Sequence, residues 1–329
     1  MGYSIGVLNN IRLNASEEYQ NRIPEATQQN IAEVGNALAT YTPLYNEFCS
    51  ALMNKIGKTI LEQKMFKNKL ARFKSGTVNT AQDVEEIFIE MAKAEGAYDP
   101  TGANPLGRRT PPDVKVVYHR QNRRDKYVVT IGDIDFNRVF RNEGTLDTFI
   151  SGLINSVYSG DAYDEWVAMK ELLGTYNGYA ECNVPDPAAS AEYAKYFVKA
   201  VRKVLADFSF PSKNYNKAGV TTWCKSGNAV LLLNKDVAAE IDVELLAQSF
   251  NMGKTDLNVE VVLVDDFGRN SAFYAVLCDE SFFRVFDTLS HMESQRNADG
   301  LFTNYFYHHH QILSLSPFKN AVAFRMEAI

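Results

Sequence analysis

The chain has 329 residues, enough for one large or two modest domains. With 46% hydrophobic and 22% charged residues, it is composed like a folded protein and unlike a disordered one. A formal net charge of −6 argues against a globally basic nucleic-acid binder and leaves room only for a local basic patch.

Residues 1–41 are polar without a clear period and read as an extended arm. They contain neither a basic n-region nor a long apolar run, so no signal peptide or membrane span is expected, and the setting reads as reducing cytoplasm. Leu44, Phe48, Leu52 and Ile56 recur every four residues and predict a helix with one apolar stripe. Lys64, Lys67, Lys69, Arg72 and Lys74 make a basic stretch, and Val84–Met91 is strand-like. Residues 96–113 are rich in Gly, Pro and Arg and form a loop too long for a simple connection. Val114, Val116 and Tyr118 then share one strand face, and Tyr127, Val129 and Ile131 share another. With Gln121–Asp125 as the turn between them, these strands predict a β-ribbon. A lone ribbon is marginal in water, so it needs a surface such as a neighbouring subunit. Thr145 caps a helix running with a break to Leu173, weakened at Gly152 and Gly160. Its ~29 residues would span roughly 40 Å. From Asn177 helices and strands alternate, with strands at Ala229–Leu233, Val259–Val264, Phe273–Cys278 and Phe282–Phe286 and helices over 194–208 and 237–250. This reads as an α/β domain. The last forty or so residues return to strand, ending in Asn320–Phe324.

Several residue groups invite chemistry. Gly253-Lys254-Thr255 has the tail of a phosphate-binding loop, but Gln248 stands where the second glycine belongs and the preceding segment is helical, so the nucleotide reading fails. Asp265, Asp266, Asp279 and Asp287 fall near strand ends, where open α/β sheets hold catalytic carboxylates; against them stands the common use of Asp in caps and turns. His308 and His310 share a strand face with His309 opposite, which fits packing better than a metal site. The four cysteines, 49, 182, 224 and 278, are too scattered for a zinc site or a disulfide framework. The ribbon region carries Arg108, Arg109, Lys115, His119, Arg120, Arg123, Arg124 and Lys126. It can be read as a nucleic-acid arm, as a solvated face, or as an intersubunit clasp. The clasp would meet acidic neighbours such as Glu85-Glu86-Glu90 or Asp161-Asp164-Glu165.

A resemblance favours the clasp. The stretches NIAEVGNAL (30–38), LARFKSG (70–76), VEEIFIEM (84–91), PDVKVVYHRQNRRDKYVVTI (112–131), DEWVAMKELL (164–173), LLAQSFNMGKTD (245–256), HMESQRNADGLFTNYFYHH (291–309) and SLSPFKNAVAF (314–324) resemble, in order, the major capsid proteins of phi-29-type short-tailed phages. The resemblance implies an α+β, Hong-Kong-97-type capsid fold. Its expected parts are an N-terminal arm and first helix (1–65), an E-loop (66–130), a peripheral domain with spine helix and closing strands (131–175 and 290–329), and an axial α/β domain (176–289). It implies a shell of hexamers and pentamers in the virion, assembled in the host cytoplasm. The implied partners are a portal protein and loosely held double-stranded DNA, with no cofactor, metal or membrane. Some relatives add an immunoglobulin-like domain after the closing strands. This chain stops at Ile329 without one, and its arm before the matched region is too short for a fused scaffolding domain, so the resemblance implies a separate scaffolding protein. The alternatives are an encapsulin-like nanocompartment shell, or an α/β enzyme using the strand-end aspartates.

Overall fold

The computed structural model describes residues 3–40, 43–44, 47–48, 51, 66–79, 82–94, 100–101, 111–132, 143–185, 193–240, 259–268 and 273–326. The chain divides into two compact units. Unit 1 comprises Met1–Asn68, Asn122–Trp166 and Asp287–Gln311; unit 2 comprises Lys69–Gln121, Val167–Phe286 and Ile312–Ile329.

In unit 1 the expected extended arm is helical instead, as α1 (Tyr3–Asn14), α2 (Glu17–Arg22) and α3 (Ile31–Thr40). Ile5, Leu8 and Ile11, and then Ile31, Val34 and Leu38, give each longer helix a buried stripe at helical spacing. The Asn and Gln residues around them mask that spacing in the sequence. Ser16 caps α2 by accepting the Tyr19 N–H at 3.2 Å. The Asn9 amide clamps the Ala26 backbone through bonds of 3.0 and 2.7 Å. These helices bury their stripes in one cluster with Leu44, Phe48, Ile131, Leu153 and Tyr305. Leu52 and Ile56 of the helix expected over 44–56 lie outside the described residues.

The spine helix α4 (Glu143–Thr175) has 33 residues, about 50 Å of helix, and runs through Gly152 and Gly160 without the expected break. It contributes residues to both units. One sheet has the order β1-β9-β10-β4, with β1 at Lys74–Thr77, β4 at Arg123–Gly132, β9 at Phe283–Asn297 and β10 at Phe302–Leu315. β4 and β10 pair antiparallel, setting Arg123 opposite Gln311, Asp125 opposite His309 and Tyr127 opposite Tyr307. The expected ribbon between residues 114–118 and 127–131 is therefore not formed. Gln121–Asp125 has no glycine for the turn a tight hairpin favours, and Arg123 already belongs to a strand, with its side chain buried.

In unit 2 the true ribbon joins β2 (Val84–Ile89) to β3 (Val114–His119), antiparallel, with Ile87 opposite Val116 and Ile89 opposite Val114. The α/β part is a five-stranded sheet of order β5-β11-β8-β6-β7. Its strands are β5 (Ala180–Val184), β6 (Ala229–Asn234), β7 (Glu260–Val264), β8 (Phe273–Asp279) and β11 (Ala321–Met326). β6 is parallel to β7, β11 is parallel to β5, and β8 is antiparallel to both β6 and β11. β11 thus corrects the reading that groups it with the peripheral closing strands. Its Ala321–Phe324 run is buried throughout rather than alternately, as suits a strand covered on both faces. Helix α5 (Tyr193–Phe208) covers one face with Phe197, Val201, Val204, Leu205 and Phe208, against Leu231, Leu233, Ala275, Leu277 and Phe324. A short helix, α6 (Lys235–Glu240), follows β6. Gly253-Lys254-Thr255 lies outside the described residues.

Candidate assembly interface

Alternation along the β2–β3 ribbon sorts its side chains in an unusual way. Ile87, Ile89, Val114, Val116 and Tyr118 point outward and are between 41% and 63% exposed. Cross-strand pairing makes them one contiguous apolar strip. The inward face is polar. The Glu86 carboxylate accepts from Arg284 Nη2 at 2.6 Å, Arg284 Nε at 3.2 Å, Ser316 Oγ at 2.9 Å and His119 Nε2 at 3.0 Å. Burial alone would raise its pKa, but His119, Arg284 and Ser316 bring it down to about 2. Glu90 accepts from Lys213 Nζ at 2.7 Å and from the Thr221 N–H at 3.0 Å, and it takes the Thr221 hydroxyl too; Lys213 and then Thr221 hold it at about 2. Lys115 Nζ donates to the Ala218 carbonyl at 2.6 Å, and Phe88 packs on Phe318.

The charged residues singled out in the sequence separate into exposed and buried groups. Arg108 and Arg109 lie outside the described residues. Arg120 is exposed and pairs with Asp83 at 3.2 Å, and Glu85 accepts from the Tyr118 hydroxyl at 3.1 Å. Arg124 and Lys126 are exposed on β4, opposite His310 and His308 of β10. Asp164 is exposed and accepts from the Tyr127 hydroxyl at 2.8 Å. Arg123, Asp161 and Glu165 are corrected: all three are buried inside unit 1 and are not available to a neighbour.

These three belong to a buried polar network. Arg123 Nη2 donates to Asp161 at 2.8 Å, and Nε donates to Asp125. His309 Nδ1 donates to Asp161 at 2.8 Å and Nε2 to Asp287 at 3.2 Å. Gln311 bonds Arg123, Glu165 and Asp287, and Asn68 Nδ2 donates to Glu165 at 2.8 Å. Burial would lower the His309 pKa, yet Asp161 and Asp287 outweigh it and hold the imidazolium to about 9. The alternation expected for the histidine run is present, with His309 inward and committed to carboxylates. No group of His, Cys, Asp and Glu able to hold a metal occurs among the described residues.

The strand-end aspartates do not gather into one site. Asp265 and Asp266 close on Lys170 Nζ at 2.8 and 2.9 Å, Asp279 caps a turn by accepting from Ser281, and Asp287 joins the buried network. Cys224 and Cys278 are buried thiols, and burial pushes Cys224 up to about 12. Sequence reasoning missed Arg284, Ser316, Lys213 and Thr221, the anchors of the ribbon. They lie far along the chain from Glu86 and Glu90 and carry no local signature. The legible signal was the period of two that sets Glu86, Phe88 and Glu90 against Glu85, Ile87 and Ile89.

A long helix that contributes to two units, an α/β sheet and a two-stranded ribbon with an apolar outer face define a shell-forming protein of the Hong-Kong-97-type capsid fold. The capsid of Staphylococcus phage Andhra has this architecture with a TM-score of 0.65 at 12% identity, over 82% of this chain and 87% of that one. Capsid subunits of a GTA particle give 0.54 at 12% identity, over 82% and 94%. The family model for the Phi29-like phage major capsid protein matches residues 8–325, and the chain belongs to that family. The major capsid protein of Bacillus phage B103 is 34% identical over 98% of this chain and 72% of its own length. That of Streptococcus phage Cp-1 is 27% identical over 96% and 93%. The chain is thus a structural component of the virion that assembles with copies of itself into the head of a tailed phage.

Proposed function

We propose that the outer strip of the β2–β3 ribbon is the contact by which each copy joins the next within hexamers and pentamers. The observation that carries this is the inverted ribbon: five large apolar residues face solvent while Glu86 and Glu90 face inward. Apolar strips of this kind mark protein contacts. Arg120, Arg124, Lys126, Glu85 and Asp164 form the polar rim of subunit contacts; Arg108 and Arg109, between the two ribbon strands in sequence, are assigned to it as well. Lys115, Glu86 and Glu90 support the contact from within their own subunit. Unit 1 corresponds to the peripheral domain, and unit 2 to the axial domain with the E-loop. The protein is not an enzyme, a reading supported by the dispersal of the strand-end aspartates over separate structural roles. Assembly proceeds in the host cytoplasm on a separate scaffolding protein, around a portal, and the finished head holds double-stranded DNA loosely.

The test is the double change Ile87→Ser with Val116→Ser. It removes apolar area from an exposed face, so the subunit should keep its circular dichroism and melting temperature. With the scaffolding protein it should sediment as unassembled subunits. Normal shells from this variant would refute the reading.

A further inference from the structure

Resting on that reading of the outer strip, we propose that Glu86 and Glu90 are positioning residues that fix the angle at which the ribbon meets a second copy of the chain. A two-stranded ribbon has little stability of its own, so its pose must come from what its inner face touches. That face is closed only in part by packing, through Phe88 on Phe318. A cleft of about 450 Å³ runs along β2, lined by Thr222, Arg284, Phe286, Phe318 and Lys319. The ribbon is held by pins: Glu86 on Arg284 and Ser316, and Glu90 on Lys213 and Thr221, while His119 of β3 joins Glu86 within the ribbon. His119 is itself braced by Ser314 Oγ at 2.6 Å. Glu86 lies within β2 and Glu90 directly follows its last residue, so together they hold two points along the ribbon and set both its height and its tilt. Charge-assisted bonds are directional where apolar contacts are not. The polar inner face therefore supplies the orientation, and the apolar outer face supplies the adhesion.

The experiment compares the full chain with Glu86→Gln and Glu90→Gln, singly and together. Amide hydrogen exchange of the unassembled subunit is read beside shell formation with the scaffolding protein. Exchange over 84–89 and 114–119 should quicken at least tenfold while β6 and β8 exchange as before, and shells should be few or irregular although the outer strip is intact. Unchanged ribbon exchange overturns the proposal. So do normal shells from a loosened ribbon. An equal gain in β6 and β8 also overturns it, since the glutamates would then be general stabilisers. Should the Glu86 change prevent folding, Lys213→Met decides alone: it removes one exposed donor from Glu90 and should give a smaller, still local, gain. If the Ile87→Ser and Val116→Ser variant assembles normally, the outer-strip reading fails instead, and slow ribbon exchange in that variant would still report intact pins.

Discussion

His309 is a buried cation at neutral pH, and its partners decide how unit 1 answers to pH. Its folded pKa of about 9 stands above the ordinary 6.5, so its stabilisation is complete below pH 6.5 and is lost as pH rises through 9. That difference corresponds to roughly 3 kcal/mol. Urea melts should therefore show the chain weakening between pH 6.5 and 9.5, and His309→Gln should flatten that part of the profile; an unaltered slope would refute the assignment. Glu86 and Glu90 act in the opposite direction, since their lowered pKa values make their contribution vanish only as pH falls from 4.5 towards 2. Trp166 belongs to the same scale. It is 7% exposed on α4, as its place in the apolar periodicity predicts, and Trp166→Ala should cost ~3–5 kcal/mol by denaturant melt. A loss below about 1 kcal/mol would contradict that burial. What made Trp166 legible was local spacing. What hid the role of His309 was distance along the chain, because Asp161 reaches it from another element and only the β4–β10 register brings Arg123 and Gln311 alongside.

At the scale of elements, strands and helices were legible where one face is consistently apolar, and pairing was not. The α5 stripe, the buried run of β6 and the alternation of β3 all stand at their expected places. The partner of β3 is β2, more than twenty residues earlier in sequence, and proximity in sequence pointed to β4 instead. The α1 and α3 stripes were present but short, set among polar residues that favour irregular backbone when read alone. The spine helix offers a direct test of how a helix tolerates glycine. A Cβ at Gly160 would meet the Tyr127 ring at 3.7 Å, an ordinary contact, and the backbone there is helical. Gly160→Ala should therefore stabilise the chain by ~0.5–1 kcal/mol, because alanine has less freedom to lose on folding. Thermal melts would check this, and a lower melting temperature would indicate a closer approach between α4 and β4 than the structure contains.

For the whole molecule the question is what its charge does when repeated over a shell. Each copy carries a formal −6, and several of its cations are committed at home: Arg123 to Asp161, Lys170 to Asp265 and Asp266, Lys213 to Glu90, Arg284 to Glu86, and Arg325 to Glu181. A polyanion needs uncommitted cations, because its affinity arises from counterions released as phosphates are neutralised. Arg124 and Lys126, with His308 and His310 opposite them, form an exposed basic group. Burial, with Arg124 and His308 nearby, lowers the His310 pKa, so Arg124 and Lys126, not His310, supply charge there at neutral pH. Two phosphate contacts give a slope of log affinity against log salt of about −1.8, too shallow to grip duplex DNA at ~0.15 M salt. The unassembled subunit should therefore bind a short duplex only at low salt, with a slope no steeper than about −2, and empty shells should retain little DNA at physiological ionic strength. Such a wall would let the genome slide as it is packed and released. A slope of −4 or steeper, reduced by Arg124→Ala and Lys126→Ala, would mean that this face grips DNA and that loose holding is wrong.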